Sequence, residues 1–161
     1  TIQLDFLLPR RFELYYINEK GEKATPVVIH RAILGSLDRF IALLLEETKG
    51  SLPLGLAPVQ VNIIPVNNEY HLEYASKIKE LLVDKGIRVE MDDRNEKLGY
   101  KMRESQTRKI PVTLILGNNE RDNNTISYRV HGSEETTNLP TDDFICWLKN
   151  MINKKLSNQE K

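Results

Sequence analysis

The sequence predicts an α/β chain in two pieces: an antiparallel β-meander with a helix, then an α/β domain whose mixed, mostly parallel sheet is flanked by helices. Three observations predict this. The first fifty residues carry short alternating apolar runs and then one helical stripe. A segment with two prolines and a glycine, "SLPLGLAP" (51–58), interrupts the pattern. Beyond it strand and helix patterns take turns, as in parallel sheets with crossover helices.

Each element has its own warrant. Ile2, Leu4 and Phe6 alternate with Gln3 and Asp5, the period of a half-buried strand. "FELYYI" (12–17) reads as a second strand, "NEKGEK" (18–23) as a turn, and "PVVIHRAIL" (26–34) as a third strand, apolar on both faces and therefore central. Leu37, Phe40, Ile41, Leu44 and Leu45 follow helical spacing, with Ser36 as N-cap and Gly50 as the stop. Residues 1–50 form the first domain piece and 51–58 a linker. In the second domain, 59–155, "VQVNIIPV" (59–66) is a strand, and Tyr74, Ala75, Ile78, Leu81 and Leu82 make a helical stripe closed by Gly86. "IRVEM" (87–91) is the next strand, followed by a short basic helix around 96–108, a strand at 111–117 and an edge strand at 125–130. A closing helix runs from Thr141 to Lys154, and 156–161 is a polar tail.

Composition narrows the function classes. The chain has 161 residues, 40% of them hydrophobic, enough for a real core. It has no apolar stretch long enough to cross a membrane. One cysteine excludes an internal disulfide framework or a cysteine metal cluster and points to a reducing, cytoplasmic setting. Formal net charge is zero, so any nucleic-acid role must rest on a local patch. Beginning at Thr1, directly in a strand pattern, the sequence reads as part of something longer.

Several residues could carry chemistry. Arg39 falls in the first turn of a helix, where a cation is disfavoured unless an anion, such as a phosphate, is bound there. The plainer reading is a solvated arginine balanced by Asp38. His30 sits mid-strand, a place where most histidines are merely hydrogen-bonded. Thr1, Gln3 and Asp5 share one strand face, wet or ligand-facing. His71 and His131 read as surface residues, and Cys146 as a small core or boundary residue. "DDRNEKLGYKMRESQTRK" (92–109) follows a strand's carboxyl end, where ligands favour such sheets. From Lys97 to Lys109 it has five basic residues and one acid, Glu104, with Tyr100 placed to stack. Lys97, Lys101 and Arg103 are candidates for RNA phosphates, and Asn95 for base edges. The competing reading is a solvated amphipathic helix. No Gly-rich phosphate loop, serine triad or Cys/His metal spacing occurs.

The motifs "TIQLDF", "VVIHRAILGSLDRF", "EETKG", "LAPVQV", "GIRVEMDDRNEKLGYKMRE" and "KIPVTLILG" closely resemble the carboxyl-terminal part of the threonyl-tRNA synthetase family, in order and spacing. The resemblance implies the end of a class II catalytic domain, with its motif 3, followed by an anticodon-binding domain. It implies that Arg39 contacts ATP phosphates as the motif 3 catalytic arginine, with Ser36 beside the adenine. Gln3 would line the threonine pocket, and His30 would be one of three protein ligands of a zinc that binds threonine. Asn95, Glu120 and Arg129 would read anticodon bases. The parent is expected to be a homodimeric threonine–tRNA ligase using ATP with Mg, threonine and threonine tRNA. The segment itself is expected to be a monomer. The other two zinc ligands and motifs 1 and 2 are expected upstream of Thr1, which leaves this chain inactive alone. Leu54 and Gly55 stand where the family usually has threonine and tryptophan, so a looser interdomain contact is expected. The alternative is a non-catalytic anticodon-domain-like tRNA-binding module or accessory subunit. A sister synthetase for proline, glycine or histidine shares the second domain but not the histidine in this setting.

Overall fold

The structure, a computed structural model, describes residues 1–153. The polar tail and the last residue of the expected closing helix lie outside them. The chain divides into two compact units, Thr1–Leu44 and Leu45 onward, so the division falls inside a helix rather than in the expected linker.

In the first unit, β1 (Ile2–Asp5) pairs antiparallel with β4 (Val28–Arg31), placing Gln3 opposite His30. Between them lie α1 (Leu8–Arg11), β2 (Tyr16–Ile17) and β3 (Lys23–Ala24). The expected strand over 12–17 shrinks to the β2 pair. Asp5 Oδ1 accepts the backbone N–H groups of Leu7 and Leu8, each at 2.9 Å, and Pro9 occupies the first helical turn. Both favour a helix start where alternation alone suggested extension. β4 lies in a two-stranded sheet, not in a central position. α2 (Leu37–Glu47) follows the expected stripe. The reversal after it uses Gly50, whose φ of +78° suits glycine and whose N–H reaches Leu45 O at 2.8 Å.

The second unit is built on a five-stranded mixed sheet, ordered β6-β5-β7-β8-β9. β5 (Val61–Pro65) runs parallel to β6 (Val89–Met91) and β7 (Val112–Leu116). β8 (Thr125–Val130) and β9 (Thr137–Pro140) add antiparallel. β8 is therefore interior and the edge is β9, correcting the expectation for 125–130. Helices α3 (Asn68–Asp84), α4 (Leu98–Thr107), α5 (Asn118–Asn123) and α6 (Thr141–Asn153) complete the unit. β5 is buried along its whole length, as a central parallel strand covered on both faces should be. Ile63, Leu82, Leu114, Ile126, Phe144 and Leu148 form the heart of the core.

The stretch 51–58 is held to the second unit. Leu54 and Ala57 are buried. The buried Gln60 donates to Leu54 O at 3.0 Å and accepts from Arg88 N at 2.9 Å. The Arg88 guanidinium donates to Gly55 O and Ala57 O.

Candidate functional site

Two clefts of the second unit share α4 as a wall. The first, of ≈ 490 Å³, opens past the carboxyl ends of β5 and β6 and is lined by Asn67, Asn68, Arg94, Asn95, Glu96 and Lys101, among others. The second, of ≈ 740 Å³, is lined by residues of α4, by Ile115 and Arg129 on the sheet, and by the turn after β8.

Asn95 stands exposed in the first cleft, on a loop whose shape is fixed by charge. Arg94 forks onto Asp92 at 2.7 and 2.9 Å and reaches Glu104 on α4 at 2.7 Å. Hydrogen bonding from Arg94 holds the Asp92 carboxyl below its ordinary range, and Asp92 raises the guanidinium in return. Asn68 Nδ2 also holds the loop, donating to Asp93 O.

Lys101, expected to meet a phosphate, is instead buried in the wall of the first cleft. It is 2% exposed, and its ammonium donates to Asp92 O at 3.0 Å, pinning the loop from beneath. Two further cations of the basic segment are also occupied. Arg108 binds Glu90 through both terminal nitrogens at 2.8 and 2.7 Å, and Lys109 donates to Lys49 O. Lys97, preceding α4, and Arg103, in the lining of the second cleft, are exposed, and no partner for either side chain occurs among the described residues. Tyr100 is exposed on the same helix. The segment's charge is thus mostly structural, with two cations left over for phosphates.

Glu120, through its bond to Ser127, and Arg129 are both tied to one face of β8. Along β8, Ile126 and Tyr128 are buried while Ser127 and Arg129 are half-buried, so the latter two point to the other side. That side carries α4, since Thr113, opposite Arg129, bonds Ser105 of α4 at 2.7 Å. Glu120 Oε1 accepts from Ser127 Oγ at 2.7 Å and its Oε2 from Gly117 N at 2.9 Å. Asn138 Nδ2 on β9 donates to Ser127 Oγ at 2.9 Å. Arg129 Nη2 donates to Thr136 Oγ1 at 3.0 Å. Ser127, Asn138 and Gln106 belong to this surface, and no sequence motif marks them.

Three other expectations are corrected. His71 is buried, not superficial: its Nδ1 accepts from Asn67 N at 3.0 Å, so Nε2 carries the proton that meets Asn118 Oδ1 at 2.9 Å. His131 is half-buried, and burial lowers its pKa. Cys146 is exposed rather than a core or boundary residue.

In the first unit, His30 Nε2 lies 3.0 Å from Asp5 Oδ2, and Gln3 is its register partner. Asp5 is held below its ordinary pKa, first by the Leu8 N–H and then by His30. Arg39 is exposed in the first turn of α2, one residue after Asp38, and Ser36 O accepts Phe40 N at 3.0 Å. Among the described residues no group of three or more His, Cys, Asp or Glu side chains could hold a metal. His30 and Asp5 are two donors, already bonded to each other, and do not by themselves fit a zinc ion with three protein ligands.

A partial class II core followed by an anticodon-binding domain is the class of protein that the fold and family comparisons define. The family model "Anticodon binding domain" matches residues 60–151, and "tRNA synthetase class II core domain (G, H, P, S and T)" matches 1–48. The chain is 55% identical over 90% of its length to a threonine–tRNA ligase of Lactobacillus acidophilus, covering 22% of that protein. It is 50% identical over 96% of its length to one of Oceanobacillus iheyensis, covering 24% of it. A crystal structure of the RNA binding domain of threonyl-tRNA synthetase from Cryptosporidium parvum Iowa II superimposes with a TM-score of 0.82 at 35% identity, over 93% of this chain and 38% of that one. The chain belongs to the threonyl-tRNA synthetase family and spans about a quarter of the length of these curated relatives.

Proposed function

We propose that this chain is the tRNA-reading end of a threonine–tRNA ligase. The ligase would activate threonine with ATP and Mg and pass it to threonine tRNA, as a cytoplasmic homodimer. The observation that carries the reading is the coincidence of the anticodon-binding match at 60–151 with a domain whose two clefts hold Asn95 on one side of α4 and Arg129 on the other. Single-stranded loops are read by hydrogen bonds to splayed base edges and by stacking. Asn95 offers an amide, Arg129 a fork of donors, and Glu120 a carboxylate that must exchange Ser127 or Gly117 for a base. Exposed Lys97 and Arg103 would hold phosphates, with Tyr100 as a stacking surface.

In the first unit, Arg39 and Ser36 would serve ATP, and Gln3 and His30 threonine. The zinc implied by the family resemblance would need ligands beyond those described, and no step is assigned to it. The exposed apolar residues Ile2, Leu4, Ile29 and Phe40 accord with a unit that packs against the rest of a class II core. A free-standing binding module would have no use for the core-domain match at 1–48.

Hydroxyl-radical footprinting of threonine tRNA by the chain tests the reading. Protection is expected over the anticodon stem-loop and not over the acceptor end. Protection spread evenly along the tRNA would contradict it.

A further inference from the structure

Asp5 makes two kinds of contact at once. Its Oδ1 accepts the backbone N–H groups of Leu7 and Leu8, each at 2.9 Å, and its Oδ2 lies 3.0 Å from His30 Nε2. Gln3 stands opposite His30 across the β1–β4 pair, so Asp5, two residues on, is the diagonal neighbour of His30 on the same face. The two backbone donors fix which way the carboxylate turns, and with it the oxygen left for the imidazole.

An ionised carboxylate has no proton to give. The neutral ring therefore carries its proton on Nε2, and Nδ1 keeps a lone pair. No partner for Nδ1 occurs among the described residues, and the His30 side chain is 49% exposed. Nδ1 is thus the nitrogen open to a ligand, and its ring shares a strand face with Gln3. We propose that Asp5 is a positioning residue for His30: by accepting the Nε2 proton it makes the Nδ1 lone pair the one that the ring presents to the threonine site. The proposal rests on the assignment of His30 to threonine above.

Asp5→Asn separates the two contacts. Asparagine can still accept from Leu7 and Leu8 through Oδ1, which leaves its side-chain N–H to face Nε2. The histidine must then accept at Nε2 and carry its proton on Nδ1. Long-range proton–nitrogen correlation spectra of the full chain, in alkaline buffer where the ring is neutral, report which nitrogen holds the proton. His30→Gln assigns the signal among the 3 histidines. The unaltered chain is expected to show Nε2–H, and Asp5→Asn mostly Nδ1–H with the Leu7 and Leu8 amide shifts retained. Mostly Nδ1–H in the unaltered chain overturns the proposal, and that measurement needs no variant. A variant that keeps those amide shifts and an unmoved tautomer overturns it too. In the ligase that contains this segment, Asp5→Asn should lower kcat/KM for threonine about tenfold, with KM for ATP unchanged. Equal losses for threonine and ATP would mark a general structural effect and overturn the proposal. An inverted tautomer with unchanged threonine kinetics would instead overturn the threonine reading of His30, while Asp5 would still set the ring's proton.

Discussion

Lys101→Met should disturb folding before it disturbs RNA binding. The substitution keeps the buried stem and leaves Asp92 O without its ammonium. A buried group so orphaned costs about 1–3 kcal/mol, which urea unfolding would register. The dependence of tRNA affinity on salt should not change, because the ammonium is not free to release a counterion. Lys97→Ala and Arg103→Ala should instead each lower that slope by about one unit. A reduced slope for Lys101→Met would put Lys101 back among the phosphate contacts. Sequence could count the segment's cations but not pair them, because their partners Asp92, Glu90 and Lys49 are set by the fold. His131 supplies a pH test. Burial and then the Lys109 charge lower its folded pKa below the ordinary 6.5. The unfolded chain therefore binds more protons in the window just beneath that value, and stability falls as pH drops through it. Between about pH 7.5 and pH 5, the native chain should lose more stability than His131→Gln, by urea unfolding at each pH. Equal losses would show that His131 does not contribute.

At the scale of elements, legibility followed periodicity. β5, β7, α3 and α6 carry long apolar patterns and lie where the sequence places them. β9 reads "TNLP" and α5 "NNERDN", without stripe or alternation, and both are assembled by neighbours: β9 by its pairing to β8, α5 by the Glu120 contact with Gly117 N. Missing β9 made β8 look like an edge strand, whereas it is interior and its Arg129 lines a cavity. α6 is held to β8 by an aromatic cluster: Phe144 lies 5.1 Å from Tyr128 and 5.7 Å from Trp147, centroid to centroid. Phe144 is fully buried. Phe144→Ala should therefore cost about 3–5 kcal/mol, seen as a lower denaturation midpoint. A loss under about 1 kcal/mol would mean that the core closes over the gap.

For the molecule as a whole, zero net charge leaves base reading, not a global field, to supply specificity. The sequence displayed the candidates Asn95, Glu120 and Arg129 through family likeness. It could not display Ser127, Asn138 or Gln106, which become neighbours by strand pairing and helix packing. The central claim is that this surface reads an anticodon. Its most direct measurement is a filter-binding titration of the chain against threonine tRNA and an anticodon-swapped version, at one fixed salt concentration. A bidentate base contact discriminates by roughly 1–3 kcal/mol, on the order of ten- to a hundredfold in affinity. Arg129→Ala and Asn95→Ala should narrow the gap between the two RNAs, while Lys97→Ala should weaken both and leave the gap intact. If Arg129→Ala and Lys97→Ala lower the two affinities in the same proportion, Arg129 contributes charge alone and the anticodon-reading account is wrong.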